Sequence, residues 1–225
     1  MSKRPVEDSS CVMSQQKRVC PDNIQENIPQ IGPDEPTTDL SQQGHIWCIG
    51  SSIVKQAFIF ARNNEIGIDL GLKDRTVWWQ GYSGLSLLSL QNKIQTLFKV
   101  GETPSCIILH CGGNDIGKTS LYRIRTLISL IFEKIINLLP NVTIIWSEIL
   151  PRQNWRYSNN NKSMERCRKR INSYAGKLAI TKNGRYLRHS FMCINISKFL
   201  KTDGVHLNDN GNKLLLQQFK KAVVE

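Results

Sequence analysis

The alternation of apolar segments predicts a three-layer α/β/α fold with a mostly parallel, five-stranded sheet. Short continuous apolar runs, typical of strands buried on both faces, alternate about five times with segments whose apolar residues recur at helical spacing. This strand–helix order is typical of parallel βαβ units with helices on both faces of one sheet. Residues 44–225 are expected to form this domain, and they are enough for one substantial core.

Three apolar runs at residues 46–49, 77–79 and 106–109 predict the first three strands. A glycine-containing loop follows each run, and glycine permits the tight turn that such a loop requires. Helical spacing then predicts a helix after each loop, and the third helix is expected to stop at Pro140. The apolar positions are Val54, Ala57, Phe58 and Ala61, then Leu87, Leu90, Ile94 and Leu97, then Leu121, Ile124, Leu127, Ile131, Ile135 and Leu138.

The second half of the chain continues the pattern. Residues 142–146 predict a fourth buried strand, and residues 186–194 predict a fifth. Polar loops are expected at residues 151–161, which are rich in Asn, and at residues 201–207. The helical positions are Met164, Cys167, Ile171, Tyr174 and Leu178 before the fifth strand, and Leu215 and Phe219 in a C-terminal helix.

Composition narrows the class of protein and its setting. The net charge of +12 indicates an anionic partner such as nucleic acid, or a nuclear setting, unless it is only a basic surface. Seven cysteines without regular spacing or a C-x-x-C pair predict neither a disulfide framework nor a structural zinc site. We find neither a signal-peptide pattern nor an apolar run long enough to span a membrane. An intracellular location, cytoplasmic or nuclear, is therefore expected, and the oligomeric state is left open.

Two groups of basic residues are candidates for contact with a polyanion. The polar, proline-punctuated residues 1–43 are expected to be a disordered tail, and its pairs at 3–4 and 17–18 are spaced like a bipartite nuclear signal. The helix after the fourth strand is predicted to carry a basic outer face, which is either solvated or a nucleic-acid contact. That face consists of Arg166, Arg168, Lys169 and Arg170.

One loop fits two different chemistries. Residues 112–119, GGNDIGKT, match the G-x-x-x-x-G-K-[ST] pattern of a phosphate-binding P-loop. In that interpretation Lys118 would contact phosphates, Thr119 would bind magnesium, and the protein would be an NTPase. The same loop offers the side-chain amide of Asn114 to an oxyanion. The next strand continues as residues 145–148, IWSE, without a clear Walker-B Asp, and this disfavours the P-loop.

Four loops at the expected carboxyl ends of strands contain residues suited to acyl transfer. Ser52 is a weak nucleophile until a base takes its proton, and His206 is the natural base. Asp203 lies three residues earlier, close enough to orient the imidazole. The backbone N–H groups of Ser52 and Gly84 and the amide of Asn114 could form an oxyanion hole. Taken alone, each of these residues more often caps a helix or lies in a turn. The prediction of acyl transfer therefore rests on their joint occurrence.

The sequence blocks that contain these residues resemble those of the SGNH, or GDSL-type, hydrolase family. They are residues 49–54 (IGSSIV), 82–84 (YSG), 112–115 (GGND) and 203–207 (DGVHL). The resemblance covers about residues 45–222 and implies a flavodoxin-like fold and esterase or lipase-type hydrolysis of a small-molecule or lipid ester without a metal or cofactor. Trp47 before the first block and the basic tail are similar to the esterase-like domains of vertebrate retroelement-derived proteins.

Carried over from the family, Ser52 is the nucleophile, Asp203 and His206 complete the triad, and Gly84 and Asn114 donate to the oxyanion. The chain departs from the family at one position of the first block. Ser51 stands where the family's G-D-S block has an aspartate. That aspartate is not the triad acid, so its replacement need not abolish catalysis. Two alternatives follow: Ser51 is the reactive hydroxyl, or the scaffold is weakly active or inactive and binds nucleic acid or protein.

Overall fold

The computed structural model of the protein describes residues 44–193 and 195–224, without the side chain of Cys193. The predicted tail of residues 1–43 and its basic pairs lie outside the described residues. The same holds for residue 194 at the end of the predicted fifth strand. Among the described helices, none has the length and apolar character that a membrane-spanning segment needs.

Within the described residues, five parallel strands form one sheet, which confirms the predicted fold class. The strands are β1 (Gly44–Gly50), β2 (Arg75–Gly81), β3 (Cys106–His110), β4 (Thr143–Ser147) and β5 (Arg185–Leu187). Their order in the sheet is β2-β1-β3-β4-β5, because the chain adds β2 on one side of β1 and then crosses back to place β3 on the other side. This reversal creates a topological switch point between β1 and β3, where open α/β sheets bind their ligands.

Helices cover both faces of the sheet, so that two apolar clusters form the core. The helices are α1 (Ser52–Arg62), α2 (Leu87–Val100), α3 (Leu121–Leu138), α4 (Asn161–Thr181) and α5 (Asp209–Val224). Alternate strand residues point to opposite faces: Trp47 packs with α2, α3 and α4 in the first cluster, whereas Ile46 and Cys48 pack with α1 and α5 in the second. Both clusters are almost completely excluded from solvent.

The fifth strand is shorter than predicted. It ends at Leu187, and the backbone N–H of His189, two residues later, donates to the Glu148 carboxylate at 3.1 Å instead of extending the sheet. A 3₁₀ turn follows at Ser190–Cys193. The apolar residues that suggested a longer strand therefore lie in a turn, where Met192 is buried against the second cluster.

Candidate active site

A sharp turn from β1 into α1 presents Ser52 at the carboxyl edge of the sheet. A Cβ on Gly50 would lie 2.3 Å from the His110 carbonyl oxygen and 2.4 Å from Cγ2 of Val54, so only glycine allows β1 and β3 to meet here. Ser51 then adopts an extended conformation, and its N–H donates to the His110 carbonyl oxygen at 3.3 Å. Ser52 follows as the first residue of α1.

The loop before α5 holds an aspartate and a histidine in one rigid turn. Oδ1 of Asp203 accepts the backbone N–H groups of Val205 and His206, each at 2.9 Å. Oδ2 of Asp203 lies 2.6 Å from Nδ1 of His206. Burial acts to raise the pKa of Asp203, but these hydrogen bonds from His206 and Val205 outweigh it and lower the pKa to about 2. The carboxylate is therefore ionised at neutral pH.

The fold brings this turn to Ser52. Nε2 of His206 lies 2.9 Å from Oγ of Ser52, so a continuous hydrogen-bonded chain connects Ser52, His206 and Asp203. A cavity of about 450 Å³ is lined by these three residues and also by Gly84 and Asn114. All five residues predicted for acyl transfer thus lie at one cavity.

Gly84 and Asn114 are held in position by backbone geometry and hydrogen bonds. Gly84 has φ = 72°, in the left-handed region, although a Cβ there would meet no atom within 4 Å. Nδ2 of Asn114 donates to the Leu85 carbonyl oxygen at 3.1 Å. Because an amide nitrogen carries two hydrogens, a second donor remains on Asn114.

Asp115 joins the two loops that carry Gly84 and Asn114, a role that the sequence pattern did not reveal. Its carboxylate is buried and accepts the backbone N–H of Leu87 at 3.1 Å from Oδ2 and 3.3 Å from Oδ1. Burial raises the pKa of Asp115 to about 6, against the lowering effect of the Leu87 hydrogen bond and of Lys118. The loop after β2 is thereby tied to the loop after β3.

The geometry of residues 112–119 does not fit a P-loop. The backbone N–H groups of Lys118 and Thr119 donate to the Asp115 carbonyl oxygen, so they are not free to bind phosphates. Helix α3 begins only at Leu121, so Lys118 and Thr119 do not lie in its first turn, where a P-loop would place them. The match to the phosphate-binding pattern is thus coincidental.

Ser51 occupies a different position from Ser52. It is only 4% exposed, and its side chain makes no hydrogen bond to the first turn of α1, although it precedes the helix. It lines a much smaller cavity beside His110 and Cys111. Among the described residues, it is Ser52 and not Ser51 whose hydroxyl is hydrogen-bonded to His206.

The basic face of α4 was predicted incorrectly at one position. Arg168 is buried rather than exposed because it lies next to Ile171 on the side of the helix that faces the core. Its guanidinium pairs with Glu165 at 2.6 Å and Glu148 at 3.4 Å and also donates to the Ile149 carbonyl oxygen. The remaining cations, Arg166, Lys169 and Arg170, are exposed, and for them a polyanion contact stays a prediction.

A buried polar chain beneath the sheet edge also escaped the sequence analysis. Nδ1 of His110 and Nε2 of His189 each lie 2.8 Å from Oγ of Ser147, and Nδ1 of His189 contacts Oε1 of Gln218. Burial lowers the pKa of His110 to about 3 and that of His189 to about 4, so both imidazoles are neutral at pH 7. In residues 44–193 and 195–224, no His, Cys, Asp and Glu side chains are grouped as metal ligands.

Comparison with known proteins gives one family match and many structural likenesses. The model of the family described as GDSL-like lipase/acylhydrolase matches residues 49–219. No curated protein matches the chain.

Three solved structures illustrate the likeness in fold. A candidate platelet activating factor from Streptococcus pneumonia is 21% identical, with a TM-score of 0.64 over 80% of this chain and 83% of that chain. The acetyl xylan esterase AlAXEase is 17% identical, with a TM-score of 0.63 over 80% and 99% of the two chains. The lipase/acylhydrolase from Enterococcus faecalis is 16% identical, with a TM-score of 0.61 over 80% and 95%.

Proposed function

Since the chain belongs to the GDSL-like lipase/acylhydrolase family, we propose that it hydrolyses a carboxylic ester of a small molecule or lipid with Ser52 as its nucleophile. One observation carries this proposal: Oγ of Ser52, the imidazole of His206 and the carboxylate of Asp203 form an unbroken chain of hydrogen bonds, 2.9 Å and 2.6 Å long. Nucleophile, base and orienting acid thus stand in the order that acyl transfer requires.

In the first half of the reaction, His206 activates the nucleophile. The neutral imidazole with its hydrogen on Nδ1 donates to Asp203, which leaves Nε2 free to accept the Ser52 proton. As Oγ attacks the ester carbonyl, the proton moves to Nε2. The ionised Asp203 then stabilises the imidazolium and does not itself take up the proton.

Three donors are suited to the negative charge that develops on the carbonyl oxygen. The backbone N–H groups of Ser52 and Gly84 and the second amide hydrogen of Asn114 belong to residues that line the same cavity. Such donors stabilise the tetrahedral intermediate more than the substrate, and each contributes about 3 kcal/mol to the transition state. The tie between Asp115 and Leu87 supports this arrangement because it holds two of the three loops together.

The second half reverses the roles of the same groups. The intermediate collapses when the bond to the alcohol breaks and the imidazolium gives its proton to the leaving oxygen. An acyl group then remains on Ser52. His206 takes a proton from water, the resulting hydroxide attacks the acyl carbonyl, and the proton returns to Oγ as the carboxylic acid leaves.

Hydrolysis of para-nitrophenyl acetate by the full chain tests this proposal. We expect wild type to release nitrophenolate catalytically, and we expect Ser52→Ala and His206→Ala each to lower kcat/KM by roughly 10³-fold. Circular dichroism and thermal melting of the variants establish that they are folded. A Ser52→Ala variant that hydrolyses the ester at the wild-type rate would contradict the proposal.

A further inference from the structure

Arg152 lies in the wall of the Ser52 cavity. It follows β4, is partly buried, and its Nη2 lies 3.5 Å from Oδ1 of Asn114. Its guanidinium also lies over the Trp155 ring, 5.3 Å from the ring centroid. Within the part of the chain that the structure describes, Arg152 forms no ion pair. By contrast, the buried Arg168 has two carboxylate partners, which is how proteins usually accommodate such a charge.

The charge around this guanidinium is strongly positive. Lys118 and Arg156 line the same cavity. The carboxylate that lines this cavity, that of Asp203, is already hydrogen-bonded to His206. Burial and, to a smaller extent, the nearby Arg156 lower the pKa of Arg152, Asp203 opposes them, and the net result is a pKa of about 10. Arg152 is therefore still protonated at pH 7, and the cavity presents three cations around one carboxylate that is already paired.

Gly113 and Trp155 border the guanidinium of Arg152. A Cβ on Gly113 would lie 2.5 Å from Nη2 of Arg152, so the absence of a side chain there allows the guanidinium to reach the loop of Asn114. The Trp155 ring, 7% exposed, also contacts the guanidinium. The indole N–H of Trp155 is itself buried without an acceptor among the described residues. The donor group that this wall offers to an anionic oxygen is therefore the guanidinium of Arg152.

We propose that the substrate is an ester carrying a carboxylate or phosphate group near its scissile bond, and that Arg152 binds this group with help from Lys118 and Arg156. The planar fork of a guanidinium matches the paired oxygens of both groups. Binding the anion also supplies a counter-charge to Arg152, which forms no ion pair with the residues that the structure describes. This inference rests on the proposed esterase function, because it concerns the specificity of the same cavity.

Matched pairs of esters test the inference. On the alcohol side, para-acetoxybenzoate and para-acetoxyphenyl phosphate are compared with neutral methyl para-acetoxybenzoate, which separates carboxylate from phosphate. On the acyl side, para-nitrophenyl hemisuccinate is compared with para-nitrophenyl methyl succinate. For at least one pair we expect wild type to show the higher kcat/KM on the anionic ester.

Substitution of Arg152 then tests whether this residue causes the preference for anionic esters. We expect Arg152→Gln to lower the ratio of anionic to neutral kcat/KM by about tenfold or more, the loss for one charge-assisted hydrogen bond. We expect Arg152→Lys to retain part of the preference. Arg123→Gln removes the same charge from an exposed position of α3 outside the cavity and is expected to leave the ratio unchanged.

Two results would overturn the inference and leave the esterase proposal intact. One is a wild type that prefers the neutral ester of every pair. The other is an Arg152→Gln variant that loses activity equally on both members, since that would indicate a role only in positioning Asn114. If no ester is hydrolysed, calorimetric titration with succinate and para-hydroxyphenyl phosphate still decides the matter: binding lost in Arg152→Gln supports the anion site, and no binding to wild type rejects it.

Discussion

Nε2 of His206 lies 2.9 Å from Oγ of Ser52, although the two residues are 154 positions apart in the chain. Neither local structure nor one helix can produce this contact. It exists because β1 lies inside the sheet and delivers Ser52 to the switch point, while the loop before α5 returns to the same edge. The proposed chemistry follows from this meeting of two distant loops.

The oxyanion role of Asn114 can be separated from its structural role. We expect Asn114→Ala to lower kcat on para-nitrophenyl acetate by about 10²–10³-fold with little change in KM, because the amide would act mainly in the transition state. Stopped-flow or steady-state kinetics measure both constants. An unchanged kcat, or a loss found only in KM, would remove Asn114 from the oxyanion hole.

The buried Asp115 predicts a specific pH dependence of stability. Its pKa is raised from 3.8 to about 6, so the unfolded chain releases this proton first, and the contribution of Asp115 to stability falls as pH rises between these values. Asp115→Asn cannot titrate. The free energy of unfolding of wild type minus that of the variant should therefore decrease by about 3 kcal/mol from pH 3.5 to pH 7.

Urea unfolding at both pH values measures this difference. Asp69→Asn, at another carboxylate that accepts a backbone N–H, provides the control. A difference for Asp115→Asn that is constant, or that increases with pH, would mean that the carboxylate is not held in a desolvated site.

Arg168 and Arg170 lie on the same helix and should respond very differently to truncation. We expect Arg168→Ala to destabilise the protein by about 3–5 kcal/mol, because Glu148 and Glu165 would lose the charge that compensates them. Arg170→Ala, at an exposed position, should change stability by no more than about 0.5 kcal/mol. Equal effects in urea unfolding would show that the two carboxylates do not depend on Arg168.

The sequence was sufficient to predict the fold and the position of the five site residues for a definite reason. In a parallel sheet, the residue after each strand must lie at the carboxyl edge, so Ser52, Gly84 and Asn114 could be placed from strand ends alone. Asp203 and His206 were linked by their spacing, which allows one turn to join them. The similarity to retroelement-derived domains and the intracellular location stay predictions.

What the sequence did not predict depends on contacts between loops. Arg152 lies in a polar segment without periodicity, and its place in the cavity depends on Gly113 of another loop. The hydrogen bonds that connect His110, Ser147 and His189 form only when three successive strand ends pack together. Arg168 was predicted to be exposed because its charge was taken as a sign of solvent contact, whereas two carboxylates allow it to be buried.

Labelling with a fluorophosphonate probe tests the central claim most directly, because the probe forms a covalent bond only with an activated serine. After digestion, mass spectrometry identifies the modified residue. The account predicts attachment to Ser52 in wild type and in the matched control Ser51→Ala, and no attachment in Ser52→Ala or His206→Ala. Attachment to Ser51, or labelling of Ser52→Ala to the wild-type extent, would contradict it.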